Sequence, residues 1–98
     1  MNQWNPNEIG AAICRFPSGQ FTFGPWSQGG PASVNIQTRC PNGSQFWGIY
    51  HTHPKGVALP SQQDIRSALE SGARLLCINA TSPGGQQDLR CFVRRNQV

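Results

Sequence analysis

His51 and His53 stand two residues apart in the run His51-Thr52-His53-Pro54, and Asp64 follows on from Pro60-Ser61-Gln62-Gln63. On an extended segment, side chains two apart project to the same side, so both imidazoles would face one point. A carboxylate arriving on the next element could then close a His, His, Asp site. A catalytic zinc ion asks for that set, with the fourth position left to water. Ser61 and Asp64 frame the start of a helix, so the stretch reads as a buried strand, a short polar loop and a helix N-terminus. A cation and an anionic species could meet there.

Plainer readings account for the same residues. Ser61 as N-cap and Asp64 as third helical residue would form a capping box without any metal. A His-x-His pair on a strand also suits an exposed or hydrogen-bonded pair. Two facts favour the metal: these are the only histidines in the chain, and they directly follow its most apolar run.

The elements that must position them can be read from pattern. Residues 8–16 form a mostly apolar run broken by Pro17-Ser18-Gly19, and residues 20–23 alternate polar with aromatic, which predicts a hairpin with Phe21 and Phe23 on one face. Gly24-Pro25 ends that strand. Residues 27–31 read as a loop and Ala32 to Gln37 as a third strand, with Val34 and Ile36 on a common face. Cys40-Pro41-Asn42-Gly43 contains the Asn-Gly dipeptide of tight hairpins. Gln45 to His51 is apolar on both faces and belongs near the sheet centre. From Ser61, the spacing of Ile65, Ala68 and Leu69 predicts a helix of about three turns, its apolar face on the sheet and Gly72 its terminator. Arg74 to Ala80 and Asp88 to Val93 then pair across Ser82-Pro83-Gly84-Gly85. The fold class is α/β: a small mixed sheet with one main helix packed on it.

Ninety-eight residues permit a single compact domain, 1–98, with one modest core. An apolar content of 37% means that stability leans on a metal, a disulfide or a partner chain. No apolar run approaches the ~20 residues that span a bilayer, and the polar opening Met1-Asn2-Gln3 is no signal peptide. The expected location is therefore cytoplasmic, or exported as part of a longer protein. The net charge of +4 reflects a scarcity of acids: Glu8, Asp64, Glu70 and Asp88 only. Arg90, Arg94 and Arg95 make the one basic cluster, too few for a phosphate-tracking surface, so nucleic acid is disfavoured as a partner.

The four cysteines lack Cys-x-x-Cys spacing, which argues against a structural zinc site built from all four. Cys77 and Cys91 are equidistant from Gly84, so a hairpin turning there brings them within reach of a cross-strand disulfide. Cys14 and Cys40 have no such argument. The alternative is that Cys14 and Cys77 are small buried residues in a reducing compartment.

His51-Thr52-His53-Pro54, six residues, Ser61, two residues and Asp64 resembles in full spacing the signature of the JAMM metalloproteases, also called the JAB or MPN-plus family. Glu8-Ile9-Gly10 is similar to the upstream glutamate element of that family. The resemblance implies a JAB/MPN-like, cytidine-deaminase-like fold and a zinc ion (Zn2+) held by His51, His53 and Asp64. It implies that Glu8 is the acid/base and that Ser61 stabilises the tetrahedral oxyanion. Residues 24–44 have no helical period, and the chain has little room for insertions that grip ubiquitin. It is therefore most similar to compact prokaryotic or phage-related JAB domains, including those of polymorphic toxin systems.

The expected function is that of a zinc-dependent hydrolase, a peptidase or isopeptidase of JAMM type. Zinc would bring the pKa of water from ~15.7 to about 7. Glu8 would move the proton, and Ser61 would share the oxyanion charge. The expected partner is a protein or peptide substrate, a ubiquitin-like tail among the candidates, and a homo-oligomer stays open. Against this stand an inactive binding module of the same fold, a toxin-associated domain, and a cysteine-stapled extracellular domain without metal. Glu8 has its own plain reading, as a charged residue at the exposed start of a first strand.

Overall fold

The apolar run after Glu8 forms β1 (Ile9–Arg15), and Gly19, at φ 94°, turns the chain back into β2 (Phe21–Phe23). The remaining elements are β3 (Ser27–Gln28), β4 (Gln45–His53), α1 (Gln62–Ser71), β5 (Leu75–Thr81) and β6 (Gln87–Val93). The computed structural model describes residues 7–31, 33–54, 56–82 and 84–95. They form one mixed sheet in the order β2-β1-β4-β5-β6, with β3 on the same edge of β1 as an extension of β2. β4 and β5 run parallel, joined through α1, and every other pairing is antiparallel. No helix among the described residues is long and apolar enough to cross a membrane.

β4 is central, as its two-sided apolar pattern predicts, and it continues past His51 to His53. Register then decides which residues share a face. His51 lies opposite Gly10 of β1 and Ile78 of β5, while Ile49 lies opposite Ala12 and Leu76. That face carries the core, in which Ile49, Leu76, Ile78 and Ala80 pack with Ala58, Ala68 and Ala73. Ser61 caps α1 through its side chain, and Gly72 ends the helix at φ 79°, a left-handed conformation that costs glycine little.

Three expectations change. The predicted strand at 32–37 is absent: its start, Ala32, lies outside the described residues, and residues 33–37 join no ladder. A strand forms instead at Ser27–Gln28, in the stretch read as loop. The reason is edge supply, since one edge of β1 is taken by β4 and the other by β2 and β3 in tandem. The Pro41–Ser44 turn forms, with Ser44 N–H donating to Pro41 O, but it joins no two strands. The apolar face of α1 also seats only lightly. Ala68 is buried, whereas Ile65 and Leu69 remain 45% and 53% exposed, flanking an open groove with Phe92 and Val93.

Both cysteine pairs are joined. Cys77 and Cys91 face each other in the β5–β6 register, as the hairpin argument predicts. Cys14 is bonded to Cys40, which corrects the reading of Cys14 and Cys77 as reduced core residues. Proximity of Cys14 to Cys40 depends on the path of the irregular 33–40 stretch, which has no sequence period to betray it. Arg90 of the predicted basic cluster pairs with Asp88 at 3.0 Å in the open, where such pairs contribute little.

A candidate metal centre at the end of the central strand

Glu8 is brought to the histidines by backbone bonds. Its N–H donates to Gly30 O and its carbonyl accepts from Gly29 N–H, both at 2.8 Å. One residue on, Ile9 N–H donates to the Thr52 hydroxyl at 2.9 Å, which ties the start of β1 to the residue between the two histidines. Gly10 then lies opposite His51, and a Cβ there would meet Ile36 Cδ1 at 2.6 Å. Glu8 is 6% exposed, so the plain reading of it as an exposed strand start does not hold.

His51, 4% exposed, presents its two ring nitrogens to different carboxylates. Nδ1 lies 3.4 Å from Glu8 Oε1, and Nε2 lies 3.5 Å from Asp64 Oδ1. His53 is oriented by the chain beyond it: its Nδ1 stands 2.9 Å from Val57 O, which can only accept, so Nδ1 carries the proton and Nε2 is turned the other way. That Nε2 lies 3.2 Å from Asp64 Oδ2. Asp64 is itself fixed, because Ser61 N–H donates to Oδ2 at 2.9 Å while Asp64 N–H donates to Ser61 Oγ at 3.0 Å. The predicted capping box therefore exists, and it aims the Asp64 carboxylate at both imidazoles.

Burial dominates the electrostatics. It lowers the His51 imidazole below its ordinary 6.5, partly offset by Asp64. It raises the Glu8 carboxyl above its ordinary 4.5, against the opposing influence of His53. Each group is thus pushed toward its neutral form, and the 3.4 Å contact between them lacks the geometry of a hydrogen bond: His51 Nδ1 is buried without a partner. A neutral histidine is the form that binds metal.

The residues fit a zinc ion. Ligands about 2.0–2.1 Å from a tetrahedral zinc stand roughly 3.3 Å from one another. The contacts of Asp64 with His51 and His53, 3.5 and 3.2 Å, match that edge. Glu8, His51 and His53 also offer ligand atoms that all lie within 4.8 Å of one another, so two carboxylates compete for one cation. Asp64 meets the Nε2 atom of both rings, whereas the close approach of Glu8 is to Nδ1, on the other side of the His51 ring.

Sequence reasoning missed the supports of the site: the Val57 carbonyl, the Gly29–Gly30 clamp on Glu8 and the Thr52 bond to Ile9. Backbone partners carry no residue signature. Thr52 alone offered a clue, as a hydroxyl between two candidate ligands.

A family model described as prokaryotic homologs of the JAB domain matches residues 2–94. No curated protein and no solved structure matches the chain.

Proposed function

Because the chain belongs to the prokaryotic homologs of the JAB domain, we propose that it is a zinc-dependent hydrolase of JAMM type that opens a peptide or isopeptide bond with water. His51, His53 and Asp64 are the proposed metal ligands, Glu8 the acid/base and Ser61 the oxyanion donor. The observation that carries this reading is the convergence on His51 of two carboxylates from distant parts of the chain, one facing each ring nitrogen of a buried imidazole.

Bound there, zinc would supply a Lewis acid able to acidify water and polarise a carbonyl. The chain supplies the rest. Glu8, raised by burial toward working pH, is suited to accept a proton from water and to return it to a departing amine. Ser61 Oγ already accepts the Asp64 N–H, so its own O–H remains free to donate to developing negative charge. The bond from His53 Nδ1–H to Val57 O holds the ring with Nε2 toward Asp64. The proposed substrate is a protein or peptide, with a ubiquitin-like tail as one form of it.

Zinc content and hydrolysis measured on the same preparations test the reading. About one zinc per chain is expected, lost in His51→Ala and His53→Ala. Zinc-loaded protein that cleaves no peptide or isopeptide would leave the binding-module reading in place, and protein that takes up no zinc would remove the enzyme. The pairing of all four cysteines also supports maturation in an oxidising compartment, hence an exported protein.

A further inference from the structure

Between α1 and the ladder-free stretch 33–38, a cavity of about 220 Å³ opens beside Glu8, His51 and Asp64. Its sheet-side lining is Ile49 of β4 and Leu76 of β5, and the irregular stretch adds Val34 and Ile36 together with the polar Ser33, Asn35 and Thr38. On the helix, Gln63, Ser67 and Ser71 recur every four residues and so form one stripe along the cavity. Two of the three are serines, and it is their small size that keeps the space open. His51 lines the cavity as well, and its buried Nδ1 has no hydrogen-bond partner.

We propose that this cavity is a specificity subsite that takes one non-acidic side chain, no larger than a single aromatic ring, from the residue next to the bond being cleaved. The proposal rests on the hydrolase reading above. Size sets the upper limit: an apolar cavity of about 150 Å³ holds benzene, so the space here accepts one ring-sized group and no more. Charge sets the class. Among the described residues, Glu8 and Asp64 line the cavity and no lysine or arginine does, so an acidic side chain entering it would be desolvated beside like charge. Position makes it a subsite, because Glu8, His51 and Asp64 of the proposed catalytic centre are among its lining residues.

Ser67 is exposed, so its replacement costs the fold little. Wild type, Ser67→Leu and Ser67→Arg, each zinc-loaded and checked by thermal melting, are profiled on a peptide library randomised around the cleaved bond, with products read by mass spectrometry. A second readout needs no turnover: the amide shifts of Ile36 and Ser67 on titration with N-acetyl-leucinamide. Wild type should prefer Leu, Met or Phe over Asp at one flanking position by about tenfold or more. Ser67→Leu should lower the Leu-to-Gly ratio there by about tenfold, and Ser67→Arg should raise the Asp-to-Leu ratio by a similar factor. N-acetyl-leucinamide should shift both amides in wild type and fail to do so in Ser67→Leu. Cleavage with one preference shared by all three proteins overturns the subsite and leaves the hydrolase standing. Shifts at both amides in a wild type that cleaves nothing overturn the hydrolase and support the subsite. Neither shifts nor cleavage overturns both.

Discussion

Glu8 is the proposed acid/base, and its burial makes a prediction separable from catalysis. A carboxyl whose folded pKa is raised destabilises the fold once pH exceeds its unfolded value, here 4.5. Metal-free Glu8→Gln, which removes that charge, should therefore melt above wild type at pH 7, and the difference should vanish below pH 4.5. In the zinc-loaded protein the same substitution should keep the metal and lower hydrolysis by roughly two to four orders of magnitude. Equal activity in the two would remove Glu8 from the mechanism. His51 titrates with the opposite sense. Its folded pKa is lowered, so the stability linked to it is fully present above 6.5 and is lost as pH falls through 6.5 toward the folded value. Melting of metal-free protein between pH 7.5 and 5 (about the window that unperturbed histidine sets) should show that loss, and His51→Gln should flatten it. At this scale the histidine spacing and Asp64 were legible because ligand sets have residue types. The burial of Glu8 was not, since a lone acid before an apolar run looks the same whether it faces solvent or a cavity.

At the scale of elements, two small contacts hold the site. Ser61 caps α1 through its hydroxyl while its backbone N–H anchors the Asp64 carboxylate, so Ser61→Ala should cost about 0.5–2 kcal/mol of stability and leave zinc bound. Ser61→Asp, which can still cap, should recover the stability but not the turnover; if it recovers both, the hydroxyl has no part in the reaction. Thr52 joins β1 to β4 where Glu8 meets His51. Thr52→Val keeps the shape and strands the Ile9 N–H, at a cost of about 1–3 kcal/mol. Turnover should fall with it, and Thr52→Ser should restore both; unchanged melting in Thr52→Val would show that the bond is immaterial. α1, β4 and the β5–β6 hairpin were legible because periodicity, caps and turn residues agreed. The strand predicted at 32–37 failed for a non-local reason: Val34 and Ile36 do alternate in burial, but both edges of the neighbouring β1 are already paired, with β4 and with β2 and β3.

For the molecule as a whole, a thin core is braced covalently. The buried apolar set is rich in alanine, and the helix contributes only Ala68 to it. The two disulfides close spans of 14 and 26 residues. In the chain-entropy account each is worth roughly 3 to 3.5 kcal/mol. That is a large share of the ~5–15 kcal/mol by which domains are stable. Reduction should therefore unfold metal-free protein near room temperature, and bound zinc should raise the melting point of the reduced form. If reductant shifts the melting point by less than a few degrees, the bridges are not what holds the fold. The cross-strand bridge was legible from hairpin symmetry. The other joins β1 to an irregular stretch, and only the folded path brings its cysteines together.

That irregular stretch, residues 33–40, has a consequence in time rather than in space. It forms one wall of the cavity while lacking a ladder, and it is pinned at one end by the bond from Gly30 N–H to Ser33 O and at the other by the Cys14–Cys40 bridge. The opposite walls belong to a helix and a central sheet. Amide protons of 34–38 should therefore exchange with deuterium orders of magnitude faster than those of β1 and β4, through local opening that leaves the sheet intact. A side chain entering the cavity would displace the fast-exchanging wall, and binding would be read first as slowed exchange there, before any change at His51 or Asp64.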